Sequence, residues 1–168
     1  MRVFFMIILG IDPGYAIVGY GVIEYTNNRF KTIAYGAITT PAHTDPTARI
    51  KVIYDELDTL IKMYHPDCMA IEELFFNTNQ KTAILVAEAR GVMLLAAVNN
   101  GLKVFEYTPL QVKQSIVGYG RAEKKQVISM VVNFLNLEKK PKLDDTADAL
   151  AIAICHAHTN CSLLSKYR

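Results

Sequence analysis

Cysteine is scarce and unpaired in this chain: Cys68, Cys155 and Cys161 make an odd count with no Cys-x-x-Cys spacing. That excludes a disulfide framework and implies reduced thiols in a cytoplasmic protein. Long hydrophobic runs are missing as well, and no stretch approaches the eighteen or more apolar residues of a membrane span. The opening MRVFFMIIL has one Arg ahead of an apolar run, as a signal peptide would. Gly10 and Asp12 break that run, however, and no small-residue cleavage site follows. Internal repeats, low-complexity tracts and linkers are absent, so residues 1–168 read as one domain, long enough to bury a real core. With 51% hydrophobic and 20% charged residues, the composition excludes disorder.

What is present is an alternation of strand and helix patterns. Residues 7–12 are apolar on both faces, as in the middle of a sheet. Residues 18–26 and 29–39 have strand composition, and Asn27-Asn28 between them suits a two-residue hairpin turn. Residues 47–65 carry a helical stripe of Ile50, Ile53, Leu57, Leu60 and Ile61. A short strand at 67–73, an Ala-rich helix at 80–101 capped by Gly101, and a strand at 102–108 follow. Pro109 opens the next helix, GYGR (118–121) is a loop, and further helices are expected at about 122–137 and 143–158. The order β-β-β-α-β-α-β-α-α-α predicts an α/β fold: a mixed sheet that starts with a hairpin meander and is flanked by helices.

Asp12 is costly where it stands, because a carboxylate at the end of an apolar strand needs a cation, hydrogen bonds or a proton. Other acids suggest company for it. Glu72-Glu73 end a second apolar strand, and ligand sites of open α/β sheets favour the carboxyl ends of strands. Asp145 and Asp148 are three apart on one face of the last helix, a face that continues into Ile152 and Cys155 and therefore packs inward. Singly, each acid has an ordinary explanation. Asp144, Asp145 and Asp148 suit a helix N-terminus, a strand-end Glu is usually solvated, and Asp12 could form a turn before Pro13-Gly14.

Together, four converging carboxylates need raised pKa values or bound cations. An oxygen-only donor set points to Mg²⁺ or Mn²⁺ over zinc. Setting these four aside leaves 12 acids against 18 basic residues, a surface of about +6. A basic surface around an acidic metal pocket suits an enzyme that cuts phosphodiesters. Lys113, Arg121, Lys124 and Lys125 surround the Gly-Tyr-Gly loop and suit contacts to a DNA strand, although charge runs are commonly just solvated faces. Phe75-Phe76 reads as core or as a stacking wedge at an unpaired base. CHAHTNC (155–161) offers zinc poor ligand spacing along a helix.

The segments IILGIDPG, AIEELFF, ARGVMLLAAV, VFEYTPLQVKQSIVGYGRAEKKQV and DTADALAIAICHAH closely resemble the RuvC family of bacterial Holliday-junction resolvases. The resemblance runs in order from Met6 to about His158. Residues 1–5 are then an N-terminal extension or reflect a misassigned start, and 160–168 a short tail. A Gly-Ile-Asp-Pro-Gly turn alone would also fit an actin-like phosphotransferase, but this chain has no second lobe or second such motif. The other alternative is a related ribonuclease-H-like nuclease acting on RNA, or a junction-binding protein without catalysis, against which the presence of all four acids argues.

The resemblance implies a ribonuclease-H-like fold, a homodimer, and four-way junction DNA as substrate. It implies nicking by two Mg²⁺ ions, with Mn²⁺ substituting, to leave 5′-phosphate and 3′-hydroxyl ends. The catalytic acids and metal ligands would be Asp12, Glu72, Asp145 and Asp148, with Glu72 chosen over Glu73. Phe75 would act at the junction crossover, Lys113 and Lys124 would be important lysines, and the branch-migration proteins RuvA and RuvB would be partners. A dimer suits a pseudo-two-fold junction, because one chain holds a single acid constellation. The Ala-rich helix 80–101 is the interface expected, through Ala83, Ala87, Ala89, Ala96 and Ala97, with its own sheet as the competing use of that surface.

Overall fold

The computed structural model describes residues 5–74 and 80–165. Its elements are β1 (Phe5–Asp12), β2 (Ile17–Thr26), β3 (Arg29–Thr39), α1 (Pro46–Tyr64), β4 (Cys68–Glu72), α2 (Gln80–Asn99), β5 (Lys103–Tyr107), α3 (Pro109–Val117), α4 (Lys124–Leu135) and α5 (Asp144–Ser165). The order is the expected one. The sheet has five strands in the order β3-β2-β1-β4-β5. β1 pairs antiparallel with β2, and β2 with β3, whereas β1–β4 and β4–β5 are parallel.

Local chemistry accounts for the boundaries. Asn27 and Asn28 have φ of 48° and 62°, the left-handed pair that closes a two-residue hairpin. The Asp45 carboxylate accepts from the N–H groups of Thr47 and Ala48 and caps α1. Gly101 has φ 73°, and with Gly101 N–H donating to Val98 O and Leu102 N–H to Ala97 O it closes α2 in a Schellman turn. Thr108 and Gln111 form a capping box at α3, with Pro109 in the first turn. The last helix extends to Ser165, past the expected end at His158. Thr159 continues it with its hydroxyl donating to the Cys155 carbonyl.

The strand pleat divides the core in two. Met6 and Ile8 of β1, Ile23 and Tyr25 of β2, and Cys68 and Ala70 of β4 pack under α3, α4 and α5. Leu9 and Ile11, Val18 and Val22, and Met69 and Ile71 pack under α1 and α2. The segment Ala149–Ala157 of α5 is buried on every side.

This helix approaches the sheet closely because glycines lie beneath it. A Cβ on Gly10 would overlap the Ala149 carbonyl oxygen, and one on Gly19 would overlap that of Asp145.

α2 departs from two expectations. By length and composition, Lys81–Asn99 is apolar enough to cross a membrane, so the reading that no stretch approaches a span is corrected for this helix. Of its alanines, Ala89, Ala96 and Ala97 are buried with Met93 in the chain's own core. Ala87 is exposed, along a stripe with Ile84, Gly91, Leu95 and Val98.

Candidate active site

Pleat and pairing bring the acids to one edge. Along β1 the residues under α5 are Met6, Ile8 and Gly10, so Asp12 is next on that side, at the carboxyl end. Along β4, Cys68 and Ala70 face α5, and the alternation puts Glu72 on the same side. Once the position of α5 is known, this distinguishes Glu72 from Glu73. Glu73 lies past the strand, and its N–H donates to the Tyr107 carbonyl. Asp145 and Asp148 come from the first turns of α5, at the height where Gly19 lets the helix touch β2 opposite Asp12.

Electrostatics shows how tightly they are joined. Burial, then the charges of Asp148, Glu72 and Asp145, push the Asp12 carboxyl up to about 8, against a weaker pull from Lys124. Burial and Asp148 raise Glu72, while Lys113 and Lys124 lower it. Burial raises Asp148 despite its bond to Lys124. Lys124 Nζ lies 3.0 Å from Asp148 Oδ2 and 3.6 Å from Asp144 Oδ2. Burial alone would lower the Lys124 ammonium, but these carboxylates together with Asp12 hold it above the usual lysine value.

A cleft of about 210 Å³ opens here, lined by Glu72, Lys113, Lys124 and Asp148 over Pro109, Val112, Val127 and Ala151. Two of the expected acids and two of the expected lysines thus line one cleft, and Asp12 and Asp145 are tied to those acids by the charges that raise the Asp12 carboxyl. Arg121 and Lys125 lie exposed beside it, in the loop before α4 and in the first turn of that helix. Phe75 falls outside the described residues.

Among the described residues, no three acids, histidines or cysteines are drawn together tightly enough to hold an ion as the side chains stand. The expected four-carboxylate cage is therefore open. The Lys124 ammonium stands beside Asp148. The donor chemistry still fits a hard divalent cation, since the set is all oxygen and added positive charge would offset the burial and acidic neighbours that raise the Asp12 carboxyl.

From the sequence, Asp144 has only a helix N-terminal role; in the structure Lys124 and Lys140 share it, the latter at 3.4 Å from the loop before α5. The histidines of the last helix serve the core. The Tyr107 hydroxyl is 2.7 Å from His156 Nδ1, and Ser115 Oγ is 3.2 Å from His158 Nδ1.

A hairpin meander joined to parallel strands, with carboxylates at one edge under a final helix, defines a ribonuclease-H-like protein with an acidic pocket. The family described as crossover junction endodeoxyribonuclease RuvC matches residues 8–156. RuvC of Clostridioides difficile is 64% identical over 155 residues, 92% of each chain. RuvC of Alkaliphilus oremlandii is 65% identical over 154 residues, covering 92% of this chain and 94% of that protein. Among solved structures, Thermus thermophilus RuvC in complex with a Holliday junction substrate superimposes with a TM-score of 0.88 at 33% identity, over 92% of this chain and 94% of that one. The chain belongs to the RuvC family of crossover junction endodeoxyribonucleases.

Proposed function

We propose that this chain resolves four-way DNA junctions by paired symmetric nicks, using Asp12, Glu72, Asp145 and Asp148 as its catalytic acids. The observation that carries this reading is a cleft lined by Glu72, Asp148, Lys113 and Lys124, beside an Asp12 carboxyl raised by burial and by the charges of Asp148, Glu72 and Asp145. Two Mg²⁺ ions held by these acids, with Mn²⁺ able to substitute, would supply the charge that activates a water and stabilises the leaving 3′ oxygen. Asp12, at the end of the central strand and coupled to the other three acids, would help hold the ions and would gain the positive charge that its raised carboxyl lacks. Lys113 and Lys124, which line the cleft, would contact a phosphate bound there. Arg121 and Lys125 extend the positive surface along the backbone of a DNA arm. Phe75, three residues past Glu72, serves as the wedge that stacks on a base at the crossover. No covalent intermediate is required, so the ends are 5′-phosphate and 3′-hydroxyl.

A single chain has one such pocket, and two matched nicks need two. We place a homodimer on α2, where Ile84, Leu95 and Val98 are 59%, 51% and 64% exposed along one stripe with Ala87 and Gly91. This isologous contact takes the stripe left over after Ala89, Ala96 and Ala97 enter the core. The RuvA and RuvB branch-migration proteins are the further partners proposed, and the bacterial cytoplasm, away from membranes, is the proposed location.

The test is cleavage of a mobile four-way DNA junction, linear duplex and structured RNA with Mg²⁺. The reading expects cutting of the junction alone, in symmetric pairs. Equal cutting of duplex or RNA would contradict it.

A further inference from the structure

α2 reaches the catalytic edge through one side chain. Arg90 Nε donates to the backbone carbonyl of Glu72 at 3.3 Å, and another nitrogen of its guanidinium is 2.5 Å from Glu106 Oε2 on β5. The Arg90 side chain is 13% exposed, against 48% for Glu106. The carbonyl it holds belongs to the last residue of β4, whose own side chain lines the cleft. On the following residue, the Glu73 N–H is held by the Tyr107 carbonyl of β5. The peptide that carries Glu72 is thus held from two sides, by a strand and by a planar, rigid fork that lysine cannot copy.

We propose that Arg90 is a positioning residue for Glu72: it acts from α2 through the Glu72 carbonyl to fix where that carboxylate stands in the cleft. The proposal rests on the reading of Glu72 as a site acid. A misplacement of about 1 Å is enough to cost about 10²-fold in rate, and groups that orient metal ligands typically govern about 10–100-fold in affinity or activity. Because α2 also bears the exposed apolar stripe, any partner seated on that stripe would bear on the helix that holds Glu72.

The experiment compares Arg90→Met, Arg90→Lys, Glu106→Gln and Glu72→Gln by junction cleavage kinetics, Mn²⁺ binding without DNA, and thermal unfolding. Arg90→Met is expected to lower kcat about 10²-fold and weaken Mn²⁺ binding about 10-fold, with KM for the junction kept within about twofold. Glu106→Gln keeps the carbonyl bond, so its kcat and Mn²⁺ affinity stay within about threefold of the original chain. Arg90→Lys covers the case in which the Met variant does not fold, and should lose several-fold in both kcat and Mn²⁺ affinity. A wild-type kcat and Mn²⁺ affinity in an Arg90 variant, or a loss confined to KM or to thermal stability, would overturn the proposal. If Glu72→Gln still cuts normally, the underlying reading of Glu72 has failed instead.

Discussion

Asp148 and Ile152 stand about one turn apart on α5, yet their surroundings are opposite. At the first turns, Asp145 and Asp148 are half-buried, Asp148 is raised by burial, and Lys124 bridges to it. From Ala149 to Ala157 every side chain is buried, the one strongly polar group being His156, bonded to Tyr107 and stacked near Phe105. The second region supplies the rigidity that lets the first persist. Carboxylates that repel one another stay close because the helix carrying them is anchored in the core and pressed onto Gly10 and Gly19. Function occupies the end of the helix where stability is given up.

The largest effect expected comes from relieving the unstable end. Asp12→Asn should abolish junction cleavage while junction binding survives. It should also raise metal-free stability by about 1 kcal/mol, about 2–4 °C in Tm at this size. Cleavage assays and thermal unfolding with EDTA check the two halves of that statement. If the variant is inactive but less stable, the carboxylate repulsion has been misread.

Next in size is the contact between the two regions. Gly19→Ala puts a methyl against the Asp145 carbonyl, so the first turn of α5 has to move. Cleavage should fall about 10²-fold, and stability by about 1–3 kcal/mol. The same change at Gly91, where a Cβ meets nothing within 4 Å, is the control for intramolecular packing.

The stable end has its own pH signature. Burial pushes the His156 imidazole down from 6.5 to about 4. Above about 6.5 the ring is neutral in both states. As pH falls, the unfolded chain takes the proton first, so stability declines between about 6.5 and 4, by at most about 1.4 kcal/mol per pH unit. His156→Phe should flatten this part of the stability–pH curve, measured by urea unfolding, even though the Tyr107 hydrogen bond is lost. An unchanged slope would remove His156 as its source.

The smallest effect lies outside both regions. Lys125→Ala, on the exposed first turn of α4, should weaken junction binding uniformly and flatten its log-affinity versus log-salt slope by about 1. An unchanged slope would make Lys125 an ordinary surface residue.

Most of the architecture was legible because local signals agreed. The apolar run at 7–12, the strand composition of 18–26 and 29–39, the Asn27-Asn28 turn, Pro109 and Gly101 place the elements in the observed order. Asp12 was legible because a carboxylate ending an apolar strand is anomalous by itself. What could not be read depended on distant partners. Periodicity does not separate Glu72 from Glu73, and only the family resemblance chose between them; the physical reason is which face of β4 lies under α5, more than seventy residues further along the chain. The alanines of α2 look alike in sequence, but three face their own core because the helix docks with that side inward. Gly19 and Arg90 carry no local mark, since one is defined by the helix above it and the other by the carbonyl at its tip. The close set of ligands was also not foreseeable in its open form, because Lys124 comes from a different helix.

In the proposed site the four carboxylates act as one cation site, and burial with the neighbouring acids holds the Asp12 carboxyl up at about 8. Mn²⁺ titration of the intact protein, followed by calorimetry from pH 6 to 9, measures this directly. The account predicts affinity that rises with pH and levels off above about 8, with protons released on binding, because Asp12 has to shed its proton before it can serve as a ligand. In Asp12→Asn this part of the pH dependence should vanish along with most of the affinity. Mn²⁺ binding of undiminished strength in that variant, with the same pH profile, would contradict the account.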